Sequence, residues 1–232
     1  MDKFTLFSRN HPNRIAEAGA VAVIGLGRFG SALALELMAS GTEVLGIDDR
    51  EDIVQNHNGL LTHVVRADST KAETLEQLGV PEFERVVVAI GGDLQASILT
   101  TALVLKLKVP TVWAKAVTDQ HGEILTQLGV HHVVYPEKDM GKRVAHLVRG
   151  AMQDYIEVGK NFAIVKTTPP SSVLGKPLGE TKVRANHGVT ITAFERPGTG
   201  WSYTTLDTVL EPGDIILIAG QPDRVEAFSQ LR

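Results

Sequence analysis

The sequence predicts an α/β protein in which a doubly wound parallel sheet is followed by a small α+β C-terminal domain. Residues 20–49 give the first observation, a strand, a glycine-rich turn, a helix and a second strand ending in an acid. The second observation is the alternation of strand and helix patterns up to about residue 152. The third is the change after Asp154, where short strands and turns replace the long helices. Alternating strands and helices are typical of a parallel sheet with helices on both faces.

Composition excludes several classes of protein. The 232 residues fit one large domain or two small ones, and 43% of them are hydrophobic. A net charge of −4 gives no general attraction for nucleic acid or anionic lipid, and the lack of cysteine excludes disulfides and thiolate metal sites. No apolar run approaches the ~20 residues that span a bilayer, and residues 1–15 lack the apolar segment of a secretion signal. We therefore expect a cytoplasmic protein that is not inserted in a membrane.

A glycine-rich turn follows the first strand. Its sequence is Gly25-Leu26-Gly27-Arg28-Phe29-Gly30, which has the G-x-G-x-x-G spacing of a dinucleotide-binding unit. Gly25 permits the tight turn, Gly27 lets a pyrophosphate approach the backbone, and Gly30 lets the next helix pack close to the sheet. The N–H groups at the start of that helix face the phosphates. Asp48, at the end of the second strand, can accept hydrogen bonds from ribose hydroxyls.

Five more strand and helix pairs follow the same pattern as far as residue 152. The strands are predicted at residues 20–25, 43–48, 62–66, 85–90, 111–114 and 132–135. The helices are predicted at residues 31–40, 50–58, 71–78, 94–107, 119–128 and 139–152. The continuous apolar run 86–90 is typical of a parallel strand buried on both faces. These units predict a complete Rossmann-type domain over residues 19–152, preceded by a polar N-terminal arm, residues 1–18.

The second domain is predicted over residues 155–232. It begins with an alternating segment, 156–165, followed by turns at 168–172 and 175–178 and a short helix, 178–186. A strand, 189–195, and a hairpin loop, 197–200, come next. Strands 203–206 and 215–219, joined through a turn at 211–214, and a closing helix, 225–231, complete the domain. Short strands separated by Gly and Pro turns, with two helices among them, favour a small α+β domain.

The ligand of a doubly wound sheet lies outside the carboxyl ends of the strands, so those ends hold the candidate site residues. The guanidinium of Arg28 can form charge-assisted bonds with terminal phosphates, and Asp48 with Asp49 disfavours a 2′-phosphate and hence NADP. The remaining strand ends carry Asp68 and Ser69, then Ile90, Gly91 and Gly92, then Lys115, then Glu137. For Asp68 and Ser69 two roles stay open, contact with an adenine edge or capping of the next helix.

Three histidines suggest a metal site at first sight. His131 and His132 are adjacent on a strand, so their side chains point to opposite faces and do not easily share one ion. Together with His121 they are interpreted as surface or packing residues. Glu137 and Asp139 are more often helix caps than metal ligands, and Glu137 is the candidate if a divalent cation binds.

The chain resembles the RCK proteins, the peripheral regulatory subunits of Ktr and Trk potassium transporters. The resemblance is carried by the residues 24–30, 89–97, 113–116 and 135–141, which read IGLGRFG, AIGGDLQAS, WAKA and YPEKDMG, and by Gly175-Lys176-Pro177-Leu178 with Val183-Arg184-Ala185 near the C-terminus. It covers the chain from about residue 19 to the end, and the N-terminal arm has no counterpart.

The resemblance implies a nucleotide-binding cytosolic ring, octameric and built from dimers of the N-terminal domain, that docks on a membrane potassium channel subunit. It implies ATP, ADP or NAD(H) as the nucleotide, with ATP and ADP favouring different ring shapes, and cyclic di-AMP as a candidate ligand of the C-terminal domain. By matching position, Arg28 reaches the terminal phosphate, Asp48 holds the ribose, Lys115 lies near the phosphates, and Glu137 approaches the nucleotide or a divalent cation at a dimer interface. The full set of cofactor-binding candidates is Gly25, Gly27, Arg28, Phe29, Gly30, Asp48, Asp49, Asp68, Ser69, Ile90, Gly91, Gly92, Gln95, Lys115 and Glu137.

Three classes of function compete. A regulatory binding protein without catalytic residues fits best, because a nucleotide that binds two states with different affinity can bias an assembly between them. An NAD-dependent oxidoreductase is the alternative, but it needs a proton donor and a substrate anchor, and the only histidine of the second domain, His187, lies in a turn. A transcriptional sensor ranks last because the sequence has no helix-turn-helix pattern or basic patch.

Overall fold

A computed structural model describes residues 19–159 and 161–232, so the predicted arm 1–18 lies outside the described residues. The chain forms two compact units, the first ending at Glu137 and the second beginning at Lys138. The predicted domain limits, 19–152 and 155–232, stay predictions.

The first unit is a six-stranded parallel sheet with helices between its strands. The strands are β1 (Val21–Ile24), β2 (Val44–Asp48), β3 (His63–Arg66), β4 (Arg85–Val88), β5 (Thr111–Lys115) and β6 (His132–Val134). The helices are α1 (Arg28–Ala39), α2 (Glu51–His57), α3 (Ala72–Gln77), α4 (Leu94–Lys106) and α5 (Asp119–Gln127), and α6 (Pro136–Arg149) begins at the end of this unit.

The sheet order is β3-β2-β1-β4-β5-β6, and all its neighbouring strands are parallel. The chain moves outward from β1 to β3 and then returns to β4 on the other side of β1. This reversal is the topological switch point at which doubly wound sheets bind their ligands. The predicted Rossmann-type fold of this part of the chain is therefore confirmed.

The central strand is buried on both faces, as its continuous apolar sequence predicts. All four residues of β1 are buried. Ile24 packs with Ile47 in one apolar cluster, and Val23 packs with Leu26 in a second cluster. Burial of each such side chain contributes roughly 1.5–3 kcal/mol. The carboxyl ends of β1, β2 and β4 are thus held by a rigid core.

The second unit contains a five-stranded antiparallel sheet with the order β10-β9-β11-β8-β7. The elements are β7 (Met152–Glu157), β8 (Ala163–Thr167), α7 (Leu178–Thr181), α8 (Val183–His187), β9 (Val189–Arg196), β10 (Gly200–Tyr203), β11 (Ile215–Gly220) and α9 (Pro222–Ser229). Ile216, Ile218 and Phe228 lie at its core. The predicted small α+β domain is confirmed.

Within the described part of the chain, no helix has the length and apolar character needed to cross a membrane.

Candidate nucleotide-binding site

A cavity of about 380 Å³ opens at the carboxyl ends of β1, β2, β3 and β4. Nine predicted residues line it, namely Gly25, Gly27, Asp48, Asp49, Asp68, Ser69, Ile90, Gly91 and Gly92. Arg28, Phe29, Gly30, Gln95, Lys115 and Glu137 are not among its lining residues. The sheet thus brings together side chains and loops from four strands that are up to 67 residues apart in the chain, from Gly25 to Gly92.

The glycine turn has the geometry that its sequence predicts. Gly25 has a φ of +93°, and a Cβ at this position would lie 2.9 Å from the Ile90 backbone nitrogen. A Cβ at Gly30 would lie 1.9 Å from the Gly25 carbonyl oxygen, so α1 packs against the turn at a distance that only glycine permits. Gly27 is exposed, and a Cβ there would meet nothing within 4 Å. The space beside Gly27 is therefore open to a ligand.

Asp48 joins the end of β2 to the glycine turn. The Leu26 N–H donates to its Oδ2 at 2.7 Å, and the Arg50 N–H donates to its Oδ1 at 3.0 Å. Each carboxylate oxygen accepts more than one hydrogen bond, so both retain capacity for ribose hydroxyls. Asp49 is exposed beside it, and its carbonyl accepts a 3.1 Å bond from Arg66 Nε.

Asp68 and Ser69 line the cavity, but their side chains already have partners. Asp68 Oδ1 accepts from the Thr70 N–H at 3.0 Å and from the Thr70 hydroxyl at 2.5 Å, and these bonds lower the pKa of Asp68. The Ser69 hydroxyl bonds to the Thr100 hydroxyl at 2.9 Å in a buried position. Neither residue caps α3, because the N-cap of that helix is Lys71 and the helix has no side-chain cap hydrogen bond. Asp68 Oδ2 instead pairs with Lys71 Nζ at 3.1 Å.

Lys115 and Glu137 form a charged pair beside the glycine turn. Lys115 is 8% exposed, and its Nζ donates to Glu137 Oε1 at 2.6 Å. The same Nζ lies 5.8 Å from the centre of the Phe29 ring and 3.0 Å from the place of a Cβ on Gly91. The bond from Lys115, together with the positive charges of Lys115 and Arg28, holds the pKa of Glu137 below its usual value. The Lys115 ammonium therefore lies next to the turn and is already bonded to a carboxylate.

Eight residues that line the cavity were not in the predicted set, namely Ile24, Ile47, Arg50, Ile53, Thr70, Ala89, Asp93 and Ala96. Asp93 is the N-cap of α4 and accepts the Ala96 N–H at 2.9 Å. An Asp three residues before Ala96, at the end of an apolar strand and a glycine pair, is a recognisable cap signal. Gln95 is exposed, and Ala96 rather than Gln95 faces the cavity.

Comparison with known proteins identifies the family. Residues 21–136 match the TrkA-N domain and residues 162–231 match the TrkA-C domain. The chain is 37% identical to the "Ktr system potassium uptake protein C" of Bacillus subtilis (strain 168) over 211 residues, which are 90% of this chain and 95% of that protein. It is 35% identical to the "Ktr system potassium uptake protein A" of the same organism over 208 residues, 89% of this chain and 94% of that protein.

The chain belongs to the Ktr family of TrkA-N and TrkA-C domain proteins. The "GsuK channel bound to NAD" is a structural neighbour of this Ktr-family chain, with a TM-score of 0.63 and 20% sequence identity. The match covers 92% of this chain and 39% of the channel chain, so the Ktr-family chain spans about two fifths of that protein. At this identity the likeness shows the fold.

The three histidines considered as metal ligands, His121, His131 and His132, have other partners in the Ktr-family chain. His121 is 1% exposed, its Nδ1 accepts from the Val117 N–H, and burial lowers its pKa. His131 Nδ1 accepts from the Val112 N–H at 3.0 Å, and the ring of His132 stacks on Trp113 with centroids 4.0 Å apart. Among residues 19–159 and 161–232, no group of three or more His, Cys, Asp or Glu side chains is arranged to hold a metal ion.

A second cavity, of about 640 Å³, lies in the C-terminal unit of the Ktr-family chain. Lys182, Arg184, Thr190, Thr204 and Thr205 are among its lining residues. The Arg184 Nε donates to the Thr190 hydroxyl at 3.0 Å. Cationic and hydroxyl groups together favour an anionic ligand.

Proposed function

We propose that this protein is a cytoplasmic, nucleotide-binding regulatory subunit that gates a membrane potassium channel subunit. The observation that carries the proposal is the open glycine-loop cavity in a chain that matches Ktr potassium uptake proteins over nearly their whole length. A regulator needs a ligand site and two states with different affinity for the ligand, and it does not need catalytic groups. The family relation supports this class over the NAD-dependent oxidoreductase.

The nucleotide of the proposal is ATP or ADP, or NAD(H). Its phosphates lie at the open space beside Gly27 and at the N–H groups of the first turn of α1. Its ribose bonds to Asp48, and its outermost phosphate meets Arg28 and the Lys115–Glu137 pair. The NAD named for the GsuK channel supports the same type of ligand. A divalent cation, if one binds, is held by Glu137 together with the phosphates.

The proposal includes a homo-oligomeric, ring-shaped assembly of eight chains, bound at the inner face of the membrane through the channel subunit. Apolar side chains on α6 support such contacts, because Met140, Val144 and Val148 are 53%, 45% and 81% exposed. Their spacing places them along one face of the helix. The helices α4 and α5 also carry exposed apolar side chains, namely Leu94, Leu99 and Ile124.

Gating by nucleotide requires different affinities for the two shapes of the ring. To move an equilibrium from mostly closed to mostly open, the two affinities must differ by several kcal/mol. The test is potassium flux through liposomes that contain the channel subunit, with no regulator, with regulator plus ADP and with regulator plus ATP. Equal flux in the three cases would end the gating proposal even where nucleotide binding is real.

The state of assembly is tested by light scattering at micromolar concentration, with and without ATP. The proposal expects a mass several times that of the 25.0 kDa chain. A strict monomer in both conditions would contradict the ring.

The C-terminal cavity is proposed as the site of cyclic di-AMP. The cations of Lys182 and Arg184 suit its two phosphates. Calorimetry with cyclic di-AMP on the wild type and on Arg184→Ala tests this assignment. Binding that is equally strong in both proteins would place the ligand elsewhere.

Arg28 is expected to distinguish ATP from ADP. Arg28 lies at the first position of α1 and contributes positive charge at Glu137, so its guanidinium is placed for the outermost phosphate. We expect Arg28→Ala to weaken ATP by about 1–3 kcal/mol through the loss of a charge-assisted bond, and to weaken ADP much less. Calorimetry with both nucleotides measures the difference. The control is Arg85→Ala, which removes an exposed arginine at the amino end of β4. Equal losses of ATP and ADP affinity in Arg28→Ala would refute the assignment.

A further inference from the structure

The adenosine end of the cavity is identified by the order of the strands. The glycine turn follows β1 and holds the phosphates, and Asp48 at the end of the neighbouring β2 holds the ribose. The base, attached to that ribose, extends towards the end of β3. The cavity wall there is formed by Arg50 and Ile53 of the β2–α2 segment and by the loop 68–70 after β3.

The guanidinium of Arg50 is paired with the carboxylate of Asp52. Its Nε donates to Asp52 Oδ1 at 3.2 Å and its Nη2 donates to Asp52 Oδ2 at 2.5 Å, so the two groups form a side-on fork. The backbone N–H of Arg50 is bonded to Asp48, which fixes the base of the side chain. Both side chains of the fork are more than half exposed, so the guanidinium has a free planar face. Such faces stack on aromatic rings.

The same corner is unfavourable for a 2′-phosphate. An arginine near the acid of β2 is the group that accommodates a 2′-phosphate in NADP-binding relatives of this fold. Here the fork of that arginine is occupied by Asp52, and Asp48 and Asp49 add two further negative charges beside it. Three carboxylates around one guanidinium leave no positive charge to offset the phosphate.

We propose that Arg50 is the platform on which the adenine of the bound nucleotide stacks, and that Asp52, by engaging its guanidinium, makes the site reject nucleotides with a 2′-phosphate. The inference rests on the proposed nucleotide-binding function and names two specificity-determining residues in the same site. It defines the ligand class as adenine nucleotides with a free ribose 2′-hydroxyl.

The matched ligand pair NADH and NADPH tests the proposal, since the two differ only in the 2′-phosphate. Dissociation constants are measured by nucleotide fluorescence and by calorimetry for wild type, Arg50→Ala, Asp52→Ala and the double variant. We expect wild type to prefer NADH. Asp52→Ala frees the guanidinium and should shift the NADH to NADPH preference by about tenfold towards NADPH. Arg50→Ala should weaken both nucleotides by about fivefold, and the double variant should show no gain for NADPH.

Glu51→Ala is the control for Asp52→Ala. Glu51 is also an acid in the first turn of α2, but its partner is Arg66, at 3.5 Å, which does not line the cavity. The partner of Asp52, Arg50, does line it. This variant loses the same charge at the same helix end and should leave the preference unchanged. Thermal unfolding of each variant checks that it is folded. We expect wild-type stability, because the substituted side chains are exposed.

The outcomes separate this inference from the proposed function. Three results overturn the inference alone. They are equal binding of NADH and NADPH by wild type, an unchanged preference in Asp52→Ala, and a gain for NADPH that persists in the double variant, which lacks Arg50. Binding of both nucleotides unaffected by Arg50→Ala also overturns it. A wild type that binds neither NADH nor NADPH, and no ATP or ADP, overturns the proposed function and this inference with it.

Discussion

Replacement of Gly27 by aspartate is expected to weaken ATP, ADP and NADH by about 100-fold or more while the protein stays folded. A Cβ at Gly27 meets nothing within 4 Å, so the new side chain fits. Gly27 is the N-cap of α1 with extended backbone, φ −65° and ψ −170°, and aspartate is a favourable N-cap residue. Its carboxylate then takes the helix N–H groups that would hold the phosphates, and like charges brought together cost several kcal/mol.

The measurement is calorimetry with the three nucleotides, accompanied by thermal unfolding of each protein. Gly27→Asn is the control for the charge, because it has the same shape and caps the helix in the same way. Its loss should be smaller, and the difference between the two variants measures the effect of the charge. An unfolding temperature equal to or above that of wild type is expected for both variants. Unchanged nucleotide affinity in Gly27→Asp would show that the phosphates lie elsewhere.

The first unit, which contains the glycine turn and is called the nucleotide unit below, could be predicted from the sequence because its signals are local and agree with each other. The apolar run of β1, the G-x-G-x-x-G spacing and Asp48 occur within 30 residues, 20–49, and each has one physical role. Buried parallel strands also carry a continuous apolar pattern that alternating edge strands lack. Periodicity therefore placed all six strands of this sheet.

The predictions that were wrong concern where individual elements of the chain begin and end. Residues 156–165 read as one alternating segment, but the chain forms a hairpin in which β7 pairs with β8 around Gly159. The predicted strand 203–206 lies instead at Gly200–Tyr203, because the partner residues in β9 set the register. The helix predicted from 139 begins at Pro136, since proline suits the first helical turn. Glu137 consequently lies in the first turn of α6.

The predicted site residues fall into two groups, those whose role depends on the local backbone and those whose role depends on a distant partner. Backbone requirements such as those of Gly25 and Gly30 follow from the motif, and the structure has them. The partner of Ser69, by contrast, is Thr100, 31 residues further along the chain, and nothing local indicates that bond. The pairing of Lys115 with Glu137 is equally remote in sequence. Sequence patterns can place a side chain at a strand end, but they do not show which other side chain has already engaged it.

Replacement of Gly30 by alanine is expected to unfold the nucleotide unit. The new Cβ would lie 1.9 Å from the carbonyl oxygen and 3.0 Å from the carbonyl carbon of Gly25, and 3.1 Å from the Cβ of Ala89. The two closest atoms belong to the backbone of the glycine turn, where Gly25 already has a φ of +93° and little room to move. Helix α1 must therefore shift away from the sheet. We expect a loss above about 4 kcal/mol, a large part of the stability of an ordinary domain.

Soluble yield and thermal unfolding followed by circular dichroism measure this loss. Gly141→Ala is the matched control, because Gly141 also lies within a helix and a Cβ there meets nothing within 4 Å. That variant should be as stable as wild type or more stable by about 0.5–1 kcal/mol, since alanine is the better helix former. A Gly30→Ala protein that unfolds within a few degrees of wild type would mean that α1 can move off the turn at little cost. In that case the close packing at Gly30 does not fix the position of α1, and the first turn of this helix is not held firmly enough to define a phosphate site.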